Sequence, residues 1–253
     1  MACAGQIDPV TGAVVHAPNL GWTNVPLTAR LTEAFRVPVV VENDVRAAAW
    51  GEFVASAGRR DGSLVAVFVG TGVGSGAVLE GRLWRGAGNA AGEIGHTQVV
   101  PDGLPCRCGR AGCLEQYVSG SGFQRRLAAA IAAGRTSLLI EACGGDPTRL
   151  TARDVEAAAV AGDPLAREFW TDAVRYLVMG VANYVTLVNP RTLVMGGGVI
   201  ETVPALFDAV TDSVPKLTTV LSAASLRIER AQLGDLSGVI GAGALAHARV
   251  RAV

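Results

Sequence analysis

Strands that alternate with helices predict an α/β fold for this chain of 253 residues. Short apolar runs rich in β-branched residues recur along it: SLVAVFVG (63–70), RTLVMGGGV (191–199) and LRIERAQL (226–233). Between and around them lie longer alanine-rich stretches with helical periodicity and recognisable caps. No Pro/Gly/Ser-rich linker, internal repeat or low-complexity tract interrupts this alternation.

The bulk numbers narrow the function classes. Lys plus Arg equal Asp plus Glu at 22 each, so no global charge draws the chain to nucleic acid or to an anionic membrane. Half the residues are hydrophobic and 17% are charged, a globular and not a disordered composition. The most apolar run, Tyr176 to Val188, is too short to span a bilayer and carries Asn183. The opening MACAGQIDPV lacks a basic region followed by an apolar stretch, so no secretory signal is expected. The expected compartment is the cytoplasm, where thiols stay reduced.

Taken in order, VPVVVEND (37–44) reads as a strand, Val37 to Val41, ending in a turn, and VRAAAWGEFVAS (45–56) as a helix. SLVAVFVG is a buried strand that leads through TGVG into SGAVLEGRLWRG (75–86), where Glu80-Gly81 is a hairpin turn. Residues 92–120 are irregular, rich in Gly and Cys, and need an organising centre. Helices dominate from Gly122: FQRRLAAAIAAG (123–134), TARDVEAAAVAG (151–162) and DPLAREFWTDAVRYLVMGVANYVTLV (163–188), the last with Asp163 as cap and Pro164 in its first turn. In that long helix Trp170, Tyr176 and Met179 read as core in preference to an interface. DLSGVIGAGALAHARV (235–250) closes the chain as a glycine- and alanine-rich helix.

The organising centre is legible in GLPCRCGRAGCLE. His96, Cys106, Cys108 and Cys113 form a His-x9-Cys-x-Cys-x4-Cys pattern, one imidazole and three thiolates, which suits a closed tetrahedral structural zinc site. Gly109 and Gly112 lie between the ligands, where a tight knuckle needs permissive backbone angles. An ordinary turn with reduced thiols is the alternative, and Cys3 and Cys143 read as simple thiols.

Two further stretches carry chemistry. Asp44 follows one element and opens another, which suits a helix cap; it equally suits a general base that takes a proton from a hydroxyl nucleophile, and the two roles are compatible. VGTGVGSG (69–76) matches neither the Walker pattern nor G-x-G-x-x-G. It is either a plain hairpin or a strand-turn-strand whose bare amides and Thr71 hydroxyl form an anion-binding concavity.

CRCGRAGCLE resembles the C-x-C-G-x-x-G-C-x-E signature of the ROK family, the bacterial sugar kinases and sugar-responsive repressors, and GEIGH resembles the E-x-G-H that precedes it. The resemblance covers essentially the whole chain. It implies an actin/hexokinase-like (ribonuclease H-like) ATPase fold, with two lobes and a sugar/ATP cleft between them. It implies that Glu93, His96 and Glu115 hydrogen-bond sugar hydroxyls, His96 doing so while its other nitrogen binds zinc. END (42–44) resembles the family's E-N-D, so Asn43 inherits contact with the sugar and Asp44 the role of base; Arg46 departs from the Asn that kinases of the family often carry. The glycine loop resembles the second phosphate loop of the superfamily, giving Gly70, Thr71, Gly72 and Gly74 as nucleotide-binding residues. VMGGGV (194–199) resembles the glycine motif beside the adenosine, adding Gly196, Gly197 and Gly198.

The D-x-G-G-T loop that opens members of the superfamily has no counterpart here, and GQIDPVTGAVVHAPNLGW (5–22) resembles a region well inside the first domain. The expectation is therefore an incomplete N-terminal lobe. Residues 1–45 would be its remnant, a C-terminal helix of about 236–253 would pack back on it, and 46–235 would form the C-terminal lobe. The edge at 37–41 would be exposed and Mg·ATP would lose one phosphate clamp, impairing catalysis. The function implied is transfer of the ATP γ-phosphoryl group to the 6-hydroxyl of an aldohexose, as in glucokinases, with structural Zn, ATP with Mg, and a homodimer. The alternatives are a sugar-responsive repressor without its helix-turn-helix and a non-catalytic sugar-binding chain. Neither membrane nor nucleic acid is an expected partner.

Overall fold

The computed structural model describes residues 1–55 and 62–250, with side-chain surroundings to residue 248. Its largest sheet has the order β10-β9-β6-β7-β8, with β6 Leu64–Val69, β7 Val73–Leu79, β8 Arg82–Trp84, β9 Thr192–Gly196 and β10 Arg227–Arg230. β6, β9 and β10 run parallel, and β7 and β8 are antiparallel. β6 is apolar throughout because both of its faces are covered. Val65, Val67 and Val69 join the larger core, while Leu64 and Ala66 join a second core with Ala49, Phe53 and Val194. The period-two alternation of a strand thus sorts one run of residues between two layers.

The larger core is completed by the 25-residue helix Pro164–Val188. As expected, Asp163 caps it, accepting from the Ala166 amide at 2.8 Å; the same carboxylate takes the Ser137 hydroxyl and the Leu138 amide, so one side chain starts two helices. Thr151 and Asp154 form a reciprocal capping box on the helix Ala152–Val160. Trp170 and Tyr176 pack half-buried against this core. The turn between β7 and β8 has Glu80 at φ 52° and Gly81 at φ 72°, the doubly left-handed hairpin turn that Glu80-Gly81 predicts.

The second layer is α2 (Asp44–Ala55) with the closing helix (Ser237–Val250) packed on it. Their close approach runs through glycines: a Cβ at Gly241 would lie 1.7 Å from the Ala47 carbonyl oxygen, and one at Gly51 would lie 2.4 Å from that of Ser237. Buried Glu52 ties them together, accepting from the Gln232 and Leu233 amides and from the Ser237 hydroxyl. Ser56 and residues 251–253, the expected ends of these two helices, lie outside the described residues.

Residues 1–43 hold a third, small core of Cys3, Ile7, Val14, Ala17, Leu27 and Val41. It sits under an antiparallel sheet, β2 Gln6–Ile7, β3 Val14–Ala17 and β4 Trp22–Val25, and under α1, Leu27–Phe35. The strand expected at Val37–Val41 is corrected. Only β5, Glu42–Asn43, pairs, with β1, Ala2–Cys3. High β-propensity makes no ladder without a neighbour, Pro38 has no amide to donate, and Val37 is half exposed.

The glycine contacts of the closing helix are testable. Gly241→Ala should destabilise the fold by about 2–3 kcal/mol, because the methyl meets backbone. Gly243→Ala, which has nothing within 4 Å, should be neutral or stabilising by about 0.5–1 kcal/mol. Thermal unfolding of the two variants checks the contrast.

Candidate functional site

Three segments converge on an open cleft of ≈ 580 Å³: the start of α2, the β6–β7 hairpin and the cysteine knuckle. Asn43, Asp44, Gly70, Thr71, Gly72, Gly74, Glu93, His96, Cys108, Glu115 and Gly197 all line it. Far-separated parts of the sequence reach one place because α2 lies directly against β7. A Cβ at Gly74 would meet the Val45 side chain at 2.8 Å, and one at Gly76 would meet Ala49 at 2.5 Å.

Helix capping falls to Asn43, not to Asp44. Asn43 Oδ1 accepts from the Arg46 amide at 3.0 Å, its Nδ2 donates to the Gly5 carbonyl at 3.2 Å, and the second Nδ2 hydrogen stays uncommitted. Among the described residues, the Asp44 carboxylate accepts only the adjacent Val45 amide, on Oδ1 at 2.9 Å, so this partly buried group remains available to the cleft. Behind these two residues, Glu42 is buried between two guanidinium groups, Arg46 Nε at 2.8 Å and Arg85 Nε at 2.7 Å. Burial opposes its ionisation, but the two arginines hold its carboxyl below the usual carboxylate range.

The hairpin turn is closed by the Gly70 amide donating to the Gly72 carbonyl, and it is braced from outside by the Gly120 and Ser121 amides on the carbonyls of Gly70 and Thr71. Gly197, at φ 89°, lies so close that a Cβ there would be 2.6 Å from the Val69 carbonyl oxygen. Both glycine motifs therefore meet at one end of the cleft. Gly196 itself is buried at the end of β9 beneath Ala231 and Phe68, and Gly198 opens the short helix Gly198–Thr202; neither lines the cleft.

At the knuckle, the ligating atoms of His96, Cys106, Cys108 and Cys113 all lie within 4.8 Å of one another. His96 Nδ1 faces the Cys106 sulfur at 3.7 Å, and the sulfurs of Cys108 and Cys113 are 3.6 Å apart with no disulfide. A tetrahedron of ligands about 2.1–2.3 Å from a zinc ion has edges of about 3.5–3.8 Å, so the donor set fits that ion. The Nδ1 contact leaves Nε2 of His96 outside the cluster. Burial opposes ionisation of Cys108, yet the Arg110 amide and guanidinium bring its thiol down to about 6; burial and then the neighbouring thiols push Cys113 up to about 12. Glu115, just beyond the knuckle, joins it to the hairpin, its Oε2 accepting the Val73 amide at 3.0 Å. Among the described residues no group bonds Oε1, which is left to a ligand.

Gln6, His16, Asn19, Arg107 and Arg110 also line the cleft, and none was singled out from sequence. The two arginines could have been noticed between the cysteines. His16 and Gln6 had no signal, because their position depends on how the small β2–β3–β4 sheet folds over the cleft.

A family profile described as the ROK family matches residues 1–249. This chain belongs to the ROK family. A glucokinase of Halalkalibacterium halodurans is 37% identical over 247 residues, which span 96% of this chain and 74% of that one. The crystal structure of a ROK family glucokinase from Streptomyces griseus in complex with glucose and AMPPNP superposes with a TM-score of 0.79 at 34% identity, covering 98% of this chain and 80% of the other. The N-acetylglucosamine repressor of Escherichia coli is 32% identical over 95% of this chain but 58% of its own length. The fold is thus the actin/hexokinase-like ATPase fold that the motifs implied.

The knuckle is sensitive to one backbone position. Gly112 has φ 73°, and a Cβ there would sit 1.7 Å from the Val100 carbonyl oxygen; Gly109, at φ 85°, has nothing within 4 Å. Gly112→Ala should abolish stoichiometric metal in the purified protein, while Gly109→Ala should retain it. Elemental analysis of the two proteins distinguishes them.

Proposed function

We propose that this chain is an ATP-dependent sugar kinase that transfers the γ-phosphoryl group to the 6-hydroxyl of an aldohexose, with glucose as substrate. The observation that carries the reading is the convergence in one cleft of an available carboxylate, Asp44, a glycine hairpin and a set of sugar-suited acceptors. Glucokinases at 37% identity in sequence and 34% in structure support the choice of glucose.

In this reading Glu93, His96 through Nε2, and Glu115 through Oε1 hold the sugar hydroxyls, and Asn43 adds its spare amide hydrogen. Asp44 accepts the proton of the 6-hydroxyl as its oxygen bonds to the γ-phosphorus; the bond from that phosphorus to the bridging oxygen breaks and ADP leaves. A sugar hydroxyl is a poor nucleophile, and a positioned base contributes about 10²–10⁴ in rate. Amides and the Thr71 hydroxyl at the hairpin, with Gly197 beside them, receive the phosphates of ATP, which arrives with Mg²⁺. Gly196 and Gly198 act indirectly, by shaping the backbone around Gly197. Zinc, held by His96, Cys106, Cys108 and Cys113, is a structural cross-link with no part in the chemistry.

The reading also includes a cytoplasmic site and a homodimer, and a division into residues 1–45 and 46–235; the closing helix, expected to return to the former, packs chiefly on α2 and touches the former at β1. Among the described residues no helix is long and apolar enough to cross a membrane. A sugar-responsive repressor is the second reading, favoured by the 32% identity to the N-acetylglucosamine repressor. The carboxylate held beside the glycine hairpin supports catalysis over sensing.

Asp44→Asn should lower turnover by about 10² or more while glucose affinity stays within about threefold; coupled ADP-release kinetics and calorimetry measure the two. A loss below about tenfold removes Asp44 from the role of base. Stripping metal with a chelator, or Cys106→Ser/Cys108→Ser, should abolish glucose binding by calorimetry, and retained affinity would contradict the structural role given to zinc.

A further inference from the structure

We infer that a buried clamp of Glu42, Arg46 and Asn89 sets the distance between Asp44 and the sugar-holding end of the cleft, making these three positioning residues for phosphoryl transfer. The inference rests on the reading of Asp44 as the base.

Arg46 is 2% exposed, beside the buried alanines of α2, and each of its guanidinium nitrogens is engaged. Nε donates to Glu42 Oε1 at 2.8 Å, Nη1 to the Asn89 carbonyl at 2.9 Å, and Nη2 to Asn89 Oδ1 at 3.3 Å. Glu42 Oε1 also accepts the Asn43 amide at 2.9 Å, so the carboxylate grips the backbone immediately before Asp44. Arg46 grips it again two residues after, through its own amide on Asn43 Oδ1. Asp44 is therefore held on both sides.

The other end of the clamp reaches the backbone beside the cleft wall. Asn89 Nδ2 donates to the Ile7 carbonyl at 2.7 Å, next to Gln6 of the cleft wall. From Asn89 the chain runs in three residues to Gly92, whose carbonyl accepts both the amide and the hydroxyl of Ser75, and then to Glu93. One guanidinium thus fastens the segment carrying Asp44 to the segment that leads into Glu93 and His96. Stability alone does not require this. Apolar side chains would fill the same space without the cost of burying charge. They would lack direction, whereas a planar guanidinium with fixed donors dictates the orientation of what it joins.

Steady-state kinetics with glucose and ATP test this on Asn89→Gly, Arg46→Met and Asp44→Asn, with kcat normalised to the folded fraction. Asn89→Gly keeps the left-handed backbone (φ 55°) and the carbonyl that receives Nη1, so it removes only the side-chain half of the clamp and should fold. The expected result is a fall in kcat of about 10–100-fold, the cost of misplacing a reacting group by about 1 Å, with glucose KM within about threefold. Arg46→Met should lose at least as much, and the double variant little more than either alone. Asn89→Asp restores an acceptor for Nη2 but has no donor for the Ile7 carbonyl, so it should recover only part of the lost kcat. Wild-type kcat in Asn89→Gly and Arg46→Met, or a loss carried wholly by glucose KM, would overturn the positioning role. Wild-type turnover in Asp44→Asn would instead overturn the reading of Asp44, whatever the clamp variants do.

Discussion

The convergence of one imidazole and three thiols within 4.8 Å is the constraint on which the site depends. The segment it closes forms no ladder: among the described residues it holds two isolated bridges, Gln98 to Cys113 and Pro105 to Ala111, backbone bonds across the segment such as those of Val99 and Val100 to Gly112, and Leu104 and Leu114 against the main core. Fixing backbone costs on the order of 1–2 kcal/mol per residue, and an irregular segment offsets this with fewer regular hydrogen bonds than a helix or sheet does. The donor cluster of His96, Cys106, Cys108 and Cys113 draws the two ends of the segment together. It places Glu93 and Glu115, at either end of the segment, around the same cleft.

The opposite wall is built differently, from close packing and buried charge. Glycines on β7 let α2 settle against the hairpin, and Glu52 and Gly241 lock the closing helix behind it. Asn43 and Asp44 are then fixed from within by Glu42 and Arg46. Glu115 spans the two constructions, since its carboxylate belongs to the knuckle end and its Oε2 bonds the hairpin amide of Val73. Disturbing any one of these walls shifts groups that line the same cleft.

What could be read from sequence was whatever is encoded locally. The Glu80-Gly81 turn and the Asp163 cap each depend on residues a few positions apart, and each has the expected form in the structure; the knuckle donors, spread over a single loop segment, also come together. The Val37–Val41 run misled because a strand is made by its neighbour, and only Ala2–Cys3 lies alongside, at Glu42–Asn43. The clamp was illegible for a related reason. Arg46 stands out in sequence only as a departure from the family's Asn, and only the fold shows that Asn89, far along the chain, meets it. His16 and Gln6 reach the cleft through sheet pairing that no local pattern announces.

The most direct test of the account is hydrogen exchange of the zinc-loaded protein with and without glucose. If the knuckle and the start of α2 are two walls of one sugar site, glucose should slow exchange together in peptides covering 43–46, 92–98 and 104–118, and leave 204–230 unchanged. Protection confined to one wall, or absent from both, would contradict the claim that these segments hold a single sugar between them.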